Sequence, residues 1–400
     1  AKLNEAASLR ASELVGQRFQ AMSSVGEASE LLSQLQHATS AREQLQTELI
    51  GALGLADVRL ISERDAGDIP DWWHVYHHDA RLLAYATQDA SQVRVRNVDT
   101  WKIVRQSEDG QRTCSCVKIS PNGHWLAWTR IRAGTTPARN EWELVVHDLR
   151  INSDALDEGT RVFLHGLRGR GAFGFDQGDQ VALLDTQGDL IIHHLAAQRE
   201  VNRMDWAAAE DSLVAISRDS KRVAVVKRPA GGKEAHTLEA WDAASGELLF
   251  AKDLFELPSA MSWNHDGSEI ALTVDWRSDI WNVATGQRRL RLHDQQPPTE
   301  LAYTADGAIL ITSGWGPFTS FWNALNGEHL LSLAGLFVGS GSRVDEGSNF
   351  VVHRGDRIQL FRLTPGHEQK SVLNPTTLSE LEAGHTVDVH RGGRLVAMAT

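Results

Sequence analysis

Few residues in this 400-residue chain have the types and spacing that predict catalysis. Residues Gly169 to Gly174 fit the pattern G-x-G-x-x-G, in which backbone amides hold phosphate groups. Phosphate transfer also needs a lysine on the following strand and carboxylates that bind a metal ion, yet Leu184 occupies the lysine position. We therefore interpret these glycines as a connecting loop, and we expect no catalytic residues in this chain.

The histidines and cysteines do not form a recognisable metal site in the sequence. His77-His78 and His193-His194 are adjacent pairs, and neighbours on a strand point to opposite faces, so neither pair can chelate a metal alone. Cys114 and Cys116 lie two positions apart on a predicted strand, where we expect both to face the same side and pack in the core. We predict neither a bound metal nor a cofactor.

Two aromatic loops are the strongest candidates for recognition. Trp276 and Arg277 lie in one predicted loop, Trp315 and Phe318 lie at the matching place one repeat later, and Arg354 lies in a following hairpin. Tryptophan and arginine anchor many protein interfaces because they bury a large area and donate hydrogen bonds. We interpret these five residues as a candidate partner-binding surface. The alternative is that the aromatic side chains fold back onto neighbouring loops.

The chain repeats one pattern of strands and turns, and this pattern must position the candidate loops. Residues 260–289 and 300–330 each contain an apolar run, an Asp-Gly turn, a second apolar run, a loop and a Trp-Asn pair. The two turn glycines are 40 residues apart and the two tryptophans are 41 apart, a period typical of propeller blades. With a third copy upstream, the signature residues are Trp241, Asp242, Gly267, Trp281, Asn282, Gly307, Trp322 and Asn323.

A Trp-Asp or Trp-Asn pair that ends a third strand, after an Asp-Gly hairpin, resembles the WD-repeat β-propeller family. The resemblance implies an all-β, WD-repeat-like β-propeller of four-stranded blades, and the period predicts seven blades, with eight as the alternative. The family's Gly-His dipeptide is absent at its usual spacing. In such propellers the first strand often completes the last blade, and we expect this pairing for residues 58–61.

The first 56 residues differ in kind from the repeats. Ser24 to Glu27 and Ser40 to Glu43 both fit the capping box, in which a serine and a glutamate satisfy free amides at a helix start. We therefore assign residues 1–56 to a helical segment or linker, 57–383 to the propeller, and 384–400 to the start of a further, truncated blade. Because a half-built blade exposes an apolar edge, we expect the chain to belong to a longer protein.

A second resemblance lies at the start of the chain. Gly16-Gln-Arg-Phe19, Arg42-Glu43 and the run from Glu48 to Val58 are similar to the helical stretch that joins kinase to propeller in bacterial serine/threonine kinases with WD repeats. Such kinases are frequent among planctomycete-like bacteria. The resemblance covers about forty residues and implies that this chain is the carboxy-terminal sensor or scaffold part of a larger signalling protein.

Composition limits the classes of partner. The formal net charge of −12 argues against nucleic acid, which attracts basic surfaces, and against docking on anionic lipid. No apolar run approaches the length of a membrane helix, and no signal-peptide pattern begins the chain. We expect a soluble domain, either cytoplasmic or on the outer side of a membrane-anchored parent protein.

These observations lead to one main hypothesis and two alternatives. The main hypothesis is a non-catalytic propeller that binds a protein partner on its loop face and serves an attached or associated serine/threonine kinase as regulator or scaffold. The first alternative is an enzymatic propeller, lactonase-like or associated with a peptidase, which needs carboxylates or histidines that converge at the central channel. The second alternative is a purely architectural ring.

Overall fold

The fold was analysed in a computed structural model of the chain. It describes residues 1–12, 15–33, 39–70, 74–77, 80–107, 114–131, 142–151, 156, 160–167, 173–176, 178–185, 187–204, 213–227, 236–294, 296–304, 306–314, 316, 318–337, 349–364, 386–389 and 396–399. By their contacts, residues 58–363 form one compact unit, and residues 1–57 together with 364–400 form a second.

The first part of the chain is helical, as the sequence predicts. Helices α1 (Lys2–Arg10), α2 (Gln17–Ser33) and α3 (Thr39–Gly54) precede strand β1 (Asp57–Asp65). The carboxylate of Asp57 accepts hydrogen bonds from the backbone amides of Gly16 and Arg18, both at 2.8 Å, and so caps the start of α2. The capping-box prediction at Ser24 is wrong, because α2 begins seven residues earlier and a carboxylate distant in sequence supplies its cap.

Seven four-stranded antiparallel sheets follow, and they are the blades of a β-propeller. This confirms the fold class predicted from the repeat period, with seven blades rather than eight. Blade one contains β2 (His74–His77), β3 (Leu82–Ala86), β4 (Val93–Asn97) and β5 (Ile103–Gln106). Blade two contains β6 (Cys114–Ile119), β7 (Trp125–Ile131), β8 (Trp142–Asp148) and β9 (Thr160–Leu167). Blade three contains β10 (Phe173–Phe175), β11 (Gln180–Leu184), β12 (Leu190–His194) and β13 (Arg199–Met204).

The remaining blades have the same strand order. Blade four contains β14 (Leu213–Ile216), β15 (Arg222–Lys227), β16 (His236–Asp242) and β17 (Leu248–Leu254). Blade five contains β18 (Ala260–Trp263), β19 (Glu269–Val274), β20 (Arg277–Asn282) and β21 (Gln287–His293). Blade six contains β22 (Pro298–Tyr303), β23 (Ile309–Gly314), β24 (Phe318–Asn323) and β25 (His329–Ala334). A separate two-stranded sheet pairs β29 (Thr386–Val389) with β30 (Val396–Ala399).

Blade seven closes the ring with a strand from the start of the chain. It contains β26 (Leu336–Phe337), β27 (Asn349–Arg354) and β28 (Arg357–Thr364), and its fourth, outermost strand is β1. The amide of Gln359 donates a hydrogen bond of 2.6 Å to the Glu63 carboxylate across this junction. The prediction that the first strand completes the last blade is therefore confirmed.

The signature residues form the turns that set the blade period. Gly267 and Gly307 adopt φ of +69° and +71°, a left-handed conformation that glycine accepts without steric cost. The preceding Asp266 accepts a hydrogen bond from the Ser268 amide at 2.9 Å. At the other end of the blade, the Asn282 side chain accepts the Thr285 amide at 2.9 Å. The glycine, aspartate and asparagine of the repeat thus stabilise the hairpin turns, while the neighbouring tryptophan packs inside the blade.

The core consists of separate apolar layers between neighbouring blades. On β7, Leu126 and Trp128 pack toward blade one, and Trp125 and Ala127 pack toward blade three. Equivalent clusters lie between blades three and four, four and five, five and six, and seven and one. Between blades six and seven, the rings of Phe321 and Phe350 approach to 5.4 Å between centroids. Each blade is therefore buried on both faces, as strand alternation requires.

The two cysteines do not face the same side. A β-bulge between Ser115 and Lys118 puts Cys116 in the left-handed region, with φ of +45°. As a result Cys114 packs in the layer toward blade one and Cys116 against the layer toward blade three. The sequence-based expectation was wrong because an extra residue in a strand reverses the alternation of side chains that follow it.

Blade six contains a buried chain of hydrogen bonds that ends on a carboxylate. Trp322 donates through Nε1 to Thr312 Oγ1 at 3.0 Å, and Thr312 donates to Asp294 Oδ1 at 2.6 Å. Ser278, from blade five, donates to the other oxygen of Asp294 at 3.2 Å. Burial raises the pKa of Asp294, and the donated hydrogen bonds oppose that rise. The chain links two blades without a Gly-His dipeptide.

Blade five lacks this arrangement although its sequence is so similar. Trp281 pairs with Ile270 as Trp322 pairs with Leu310, but Leu272 occupies the place of Thr312. The Nε1 of Trp281 is buried and has no acceptor among the described residues. An unsatisfied buried donor costs free energy, so the two signature tryptophans contribute unequally to stability.

We expect Trp322→Phe to lower the free energy of unfolding by about 1 kcal/mol more than Trp281→Phe does. Both changes remove the same ring volume, but only the first removes a hydrogen bond, while the second removes an unsatisfied donor. Urea denaturation of the two variants beside the wild type measures the difference. Equal losses would show that the hydrogen bond from Trp322 contributes nothing.

Candidate functional site

The candidate loops lie on one face of the propeller. Consecutive strands of a blade are antiparallel, so the turns between second and third strands lie on the same side as the connections between blades. We call this side the upper face. The turns at Gly267 and Gly307, between first and second strands, lie on the opposite, lower face. Trp276, Arg277, Phe318 and Arg354 all belong to the upper face.

Blade five presents an exposed tryptophan on the upper face. Trp276 has 53% of its surface exposed, so it does not fold back onto its neighbours. Arg277 Nη2 forms an ion pair of 2.8 Å with Glu256 Oε2, which joins this turn to the connection between blades four and five. That connection presents Phe255, 90% exposed, and Leu257, 39% exposed. These side chains bring apolar surface and a charged pair to the same place.

Blade six adds Phe318, 39% exposed, to the same face. The side-chain amide of Gln296 donates to the backbone oxygen of Phe318 and accepts its backbone N–H at 3.4 Å. A Cβ on Gly314 would collide with Pro297, and a Cβ on Gly316 would collide with Gln296. Glycine at both positions therefore allows the turn to pack against the connection. We call Phe255, Leu257, Trp276 and Phe318 the upper apolar patch.

Two further residues were predicted to belong to this surface. Trp315 lies outside the described residues. Arg354 is exposed at the hairpin between β27 and β28 in blade seven, and it forms no hydrogen bond or ion pair with any described residue of blade five or six. The hairpin turns at Gly355, with φ of +62°. The structure brings together Trp276, Arg277 and Phe318 on adjacent blades and places Arg354 on the next blade.

Sequence reasoning missed Phe255, the most exposed aromatic residue of the described chain. The run Leu254-Phe255-Glu256-Leu257-Pro258 reads as the apolar end of a strand. From Leu254 to Leu257 only Leu254 is buried, at 8% exposure, because β17 is the outermost strand of its blade and stops there. The signal that could have found Phe255 is Pro258, since proline cannot donate to a continued strand ladder.

The lower face opens into a second candidate site, at the mouth of the central channel. A cavity of about 90 Å³ lies among the ends of the innermost strands of blades two to six. Its lining residues are Lys118, Ile119, Pro121, Gly174, Phe175, Val214, Ala215, Ile216, Met261, Ser262, Trp263, Leu301 and Ala302. Lys118 is the single charged side chain among them. Apolar walls with one charged group are typical of small-molecule pockets.

Only part of the hydrogen-bonding capacity of the Lys118 ammonium is used inside the channel. Its ammonium donates a hydrogen bond of 2.6 Å to the backbone oxygen of Phe173 and lies 4.6 Å from the centroid of that ring. Burial lowers the pKa of Lys118, and the charges of Cys116 and Glu300 oppose this. No described carboxylate forms an ion pair with Lys118. An ammonium has three donors, so two remain directed away from Phe173.

Glu300 lies higher in the same channel, on blade six. It precedes its blade's turn glycine, Gly307, by seven residues, while Lys118 precedes Gly123 by five. In this register the two groups differ in height by two residues, roughly 7 Å. Burial raises the pKa of Glu300 to about 8, and the Lys118 charge offsets this in part. Among the described residues, Glu300 has no hydrogen-bond donor.

The described part of the channel does not assemble the converging carboxylates and histidines that the enzymatic alternative needs. It contains Lys118 and Glu300 at different heights, and no group of three metal-binding side chains occurs among the described residues. The glycine pattern at 169–174 falls between β9 and β10, and its residues 169–172 lie outside the described residues. None of the described helices is both long and apolar enough to cross a membrane.

No protein-family model matches the chain, and no curated protein sequence matches it. The seven-bladed architecture is therefore established by the strand pairing alone, and the function must be argued from the two sites.

We expect Glu300→Gln to change how stability depends on pH. The pKa of Glu300 rises from 4.5 to about 8 on folding, so its protonated form favours the folded state. That contribution is present below about pH 4.5 and is lost as the pH rises toward about 8. Urea denaturation near pH 5 and pH 8 should show that the wild type loses stability relative to the glutamine variant, in which every other titrating group is retained. If the two proteins differ in free energy of unfolding by the same amount at both pH values, this expectation is wrong.

Proposed function

We propose that this protein is a non-catalytic interaction propeller whose upper face on blades five and six binds a protein partner. The observation that supports the proposal is the upper apolar patch. Phe255 and Trp276 expose 90% and 53% of their surfaces, although monomeric proteins usually cover large aromatic side chains. Arg277 and Glu256 lie beside them and can exchange their mutual ion pair for contacts with a partner.

The rigidity of the surface also supports binding. The backbone of Trp276 accepts a hydrogen bond from the Asp294 amide at 3.0 Å, and Gln296 holds Phe318. The aromatic residues therefore project from turns that are fixed to the neighbouring connections. A surface that is ordered before binding loses less entropy on association.

We further propose that the propeller is of the WD-repeat type and serves a bacterial serine/threonine kinase, attached or associated, as regulator or scaffold. The Trp-Asp and Trp-Asn positions in blades four to six support the first part. The similarity of residues 16–58 to a kinase-to-propeller linker supports the second. On this proposal the domain is located with its kinase, in the cytoplasm or on the outer side of a membrane-anchored parent.

Capture of partners from native lysate tests the surface. We expect Phe255→Ala combined with Trp276→Ala to reduce capture of a specific protein by at least about tenfold, because central aromatic anchors supply most of the binding free energy. The matched control is Leu325→Ala, which removes a side chain that is 70% exposed on the lower face.

The outcomes are distinct. Loss of a protein in the double variant, with capture retained by the control and with unchanged circular dichroism, supports the upper patch as the binding site. Identical capture by all three proteins would exclude it. A serine/threonine kinase among the lost proteins would support the scaffold role, whereas its absence would leave the docking surface and reject a separate, associated kinase that docks there.

A further inference from the structure

The cavity at the lower mouth of the channel contains a cation without a matching anion. Lys118 donates to Phe173 and lies against its ring, and no described carboxylate forms an ion pair with it. The half-buried Lys118 ammonium uses one of its three donors on Phe173, so the site favours an anion that enters from solvent and accepts from the others. Glu300 does not line the cavity, and its raised pKa weakens it as a permanent counter-ion.

The rest of the lining determines what kind of anion fits. Ile216, Met261 and Trp263 present aliphatic and aromatic walls, and Ser262 adds one hydroxyl. An inorganic anion would not cover these apolar walls, which would then face its charge or water. A molecule with one charged end and one apolar end satisfies both parts of the lining.

The volume limits the size of the ligand. The cavity of about 90 Å³ has room for a few water molecules, because one water needs at least about 15 Å³. A short-chain ligand such as butyrate therefore fits in it, whereas a longer chain would extend out of it into solvent.

We propose that this cavity is a binding site for a small organic monocarboxylate, with its carboxylate on the Lys118 ammonium and its short aliphatic chain against Ile216, Met261 and Trp263. The site lies on the face opposite the upper apolar patch and is independent of partner binding there. The ligand would complete the hydrogen bonding of Lys118, which keeps its bond to Phe173.

Methionine-methyl NMR tests the proposal at the cavity itself. The chain contains four methionines, and among the described side chains Met261 is the one that lines the cavity, so ¹³C-methyl labelling gives a signal that Met261→Leu assigns. The probes are acetate, propionate, butyrate and hexanoate, with 1-butanol and butylamine as matched controls that lack the negative charge.

We expect butyrate to shift the Met261 signal in a saturable way and to bind at least about tenfold more tightly than 1-butanol or butylamine. Hexanoate should bind no more than slightly more tightly than butyrate, because its added carbons lie outside the cavity. Lys118→Met should weaken butyrate by at least about tenfold, while Lys118→Arg retains part of the affinity because it keeps the charge. Glu300→Gln should leave the affinity unchanged or raise it, because it removes a negative charge from the channel.

Several results would overturn the proposal. The first is a Met261 signal that no carboxylate changes. The second is that Lys118→Met binds butyrate as tightly as the wild type does, and the third is that the wild type binds butylamine as tightly as butyrate. Weaker binding of butyrate by Glu300→Gln would show that the site needs the Glu300 carboxyl group and would overturn the assignment of binding to Lys118 and the apolar walls alone. If Lys118→Met does not fold, as judged by its unfolding curve without ligand, the control ligands and the Glu300→Gln comparison decide.

Discussion

The closure of the ring by β1 is the constraint on which the rest of the molecule depends. Each blade buries apolar side chains on both faces, so every sheet needs two neighbours. An open end would expose a complete apolar face, as on β7, where Trp125 and Trp128 point to opposite sides. Because blade seven takes its outermost strand from the start of the chain, hydrogen bonds hold the first and last blades together. Both candidate sites exist only in the closed ring, since each draws on several blades.

Within this frame the blades satisfy their buried polar groups in different ways. Blade six connects Trp322, Thr312 and Asp294, whereas blade five leaves Trp281 without an acceptor. In blade one, Arg96 occupies the tryptophan position and forms a hydrogen bond of 2.8 Å with Asp68 and one of 2.9 Å with the Tyr85 hydroxyl. Burial would raise the pKa of Asp68, but hydrogen bonds from arginine lower it. The repeats have diverged because packing fixes the shape of a blade and several polar networks are compatible with that shape.

The fold could be predicted from the sequence because its signals are local and periodic. The Asp-Gly turns at Asp266-Gly267 and Asp306-Gly307 lie 40 residues apart, and each follows from the chemistry of a few adjacent residues. Features that depend on distant or irregular contacts could not be predicted. The bulge at Cys116 and the cap from Asp57 to α2 leave no pattern in neighbouring residues. Trp276 is exposed, as a contact residue must be, but Phe255 was hidden in an apolar run. Lys118 and Glu300 lie at different heights of one channel although 182 residues separate them.

The pairing of β1 with β28 also determines when the molecule can finish folding during synthesis. The hydrogen-bonded residues Glu63 and Gln359 are 296 positions apart, so β1 leaves the ribosome long before its partner strand exists. Blades one to six can form in order as each emerges, because their strands are consecutive. Throughout that interval β1 is an unpaired edge strand, the kind of segment that templates aggregation. From Arg59 onward the residues of β1 are mostly exposed, and they include Arg59, Glu63 and Arg64. These charges protect such an edge until translation reaches blade seven.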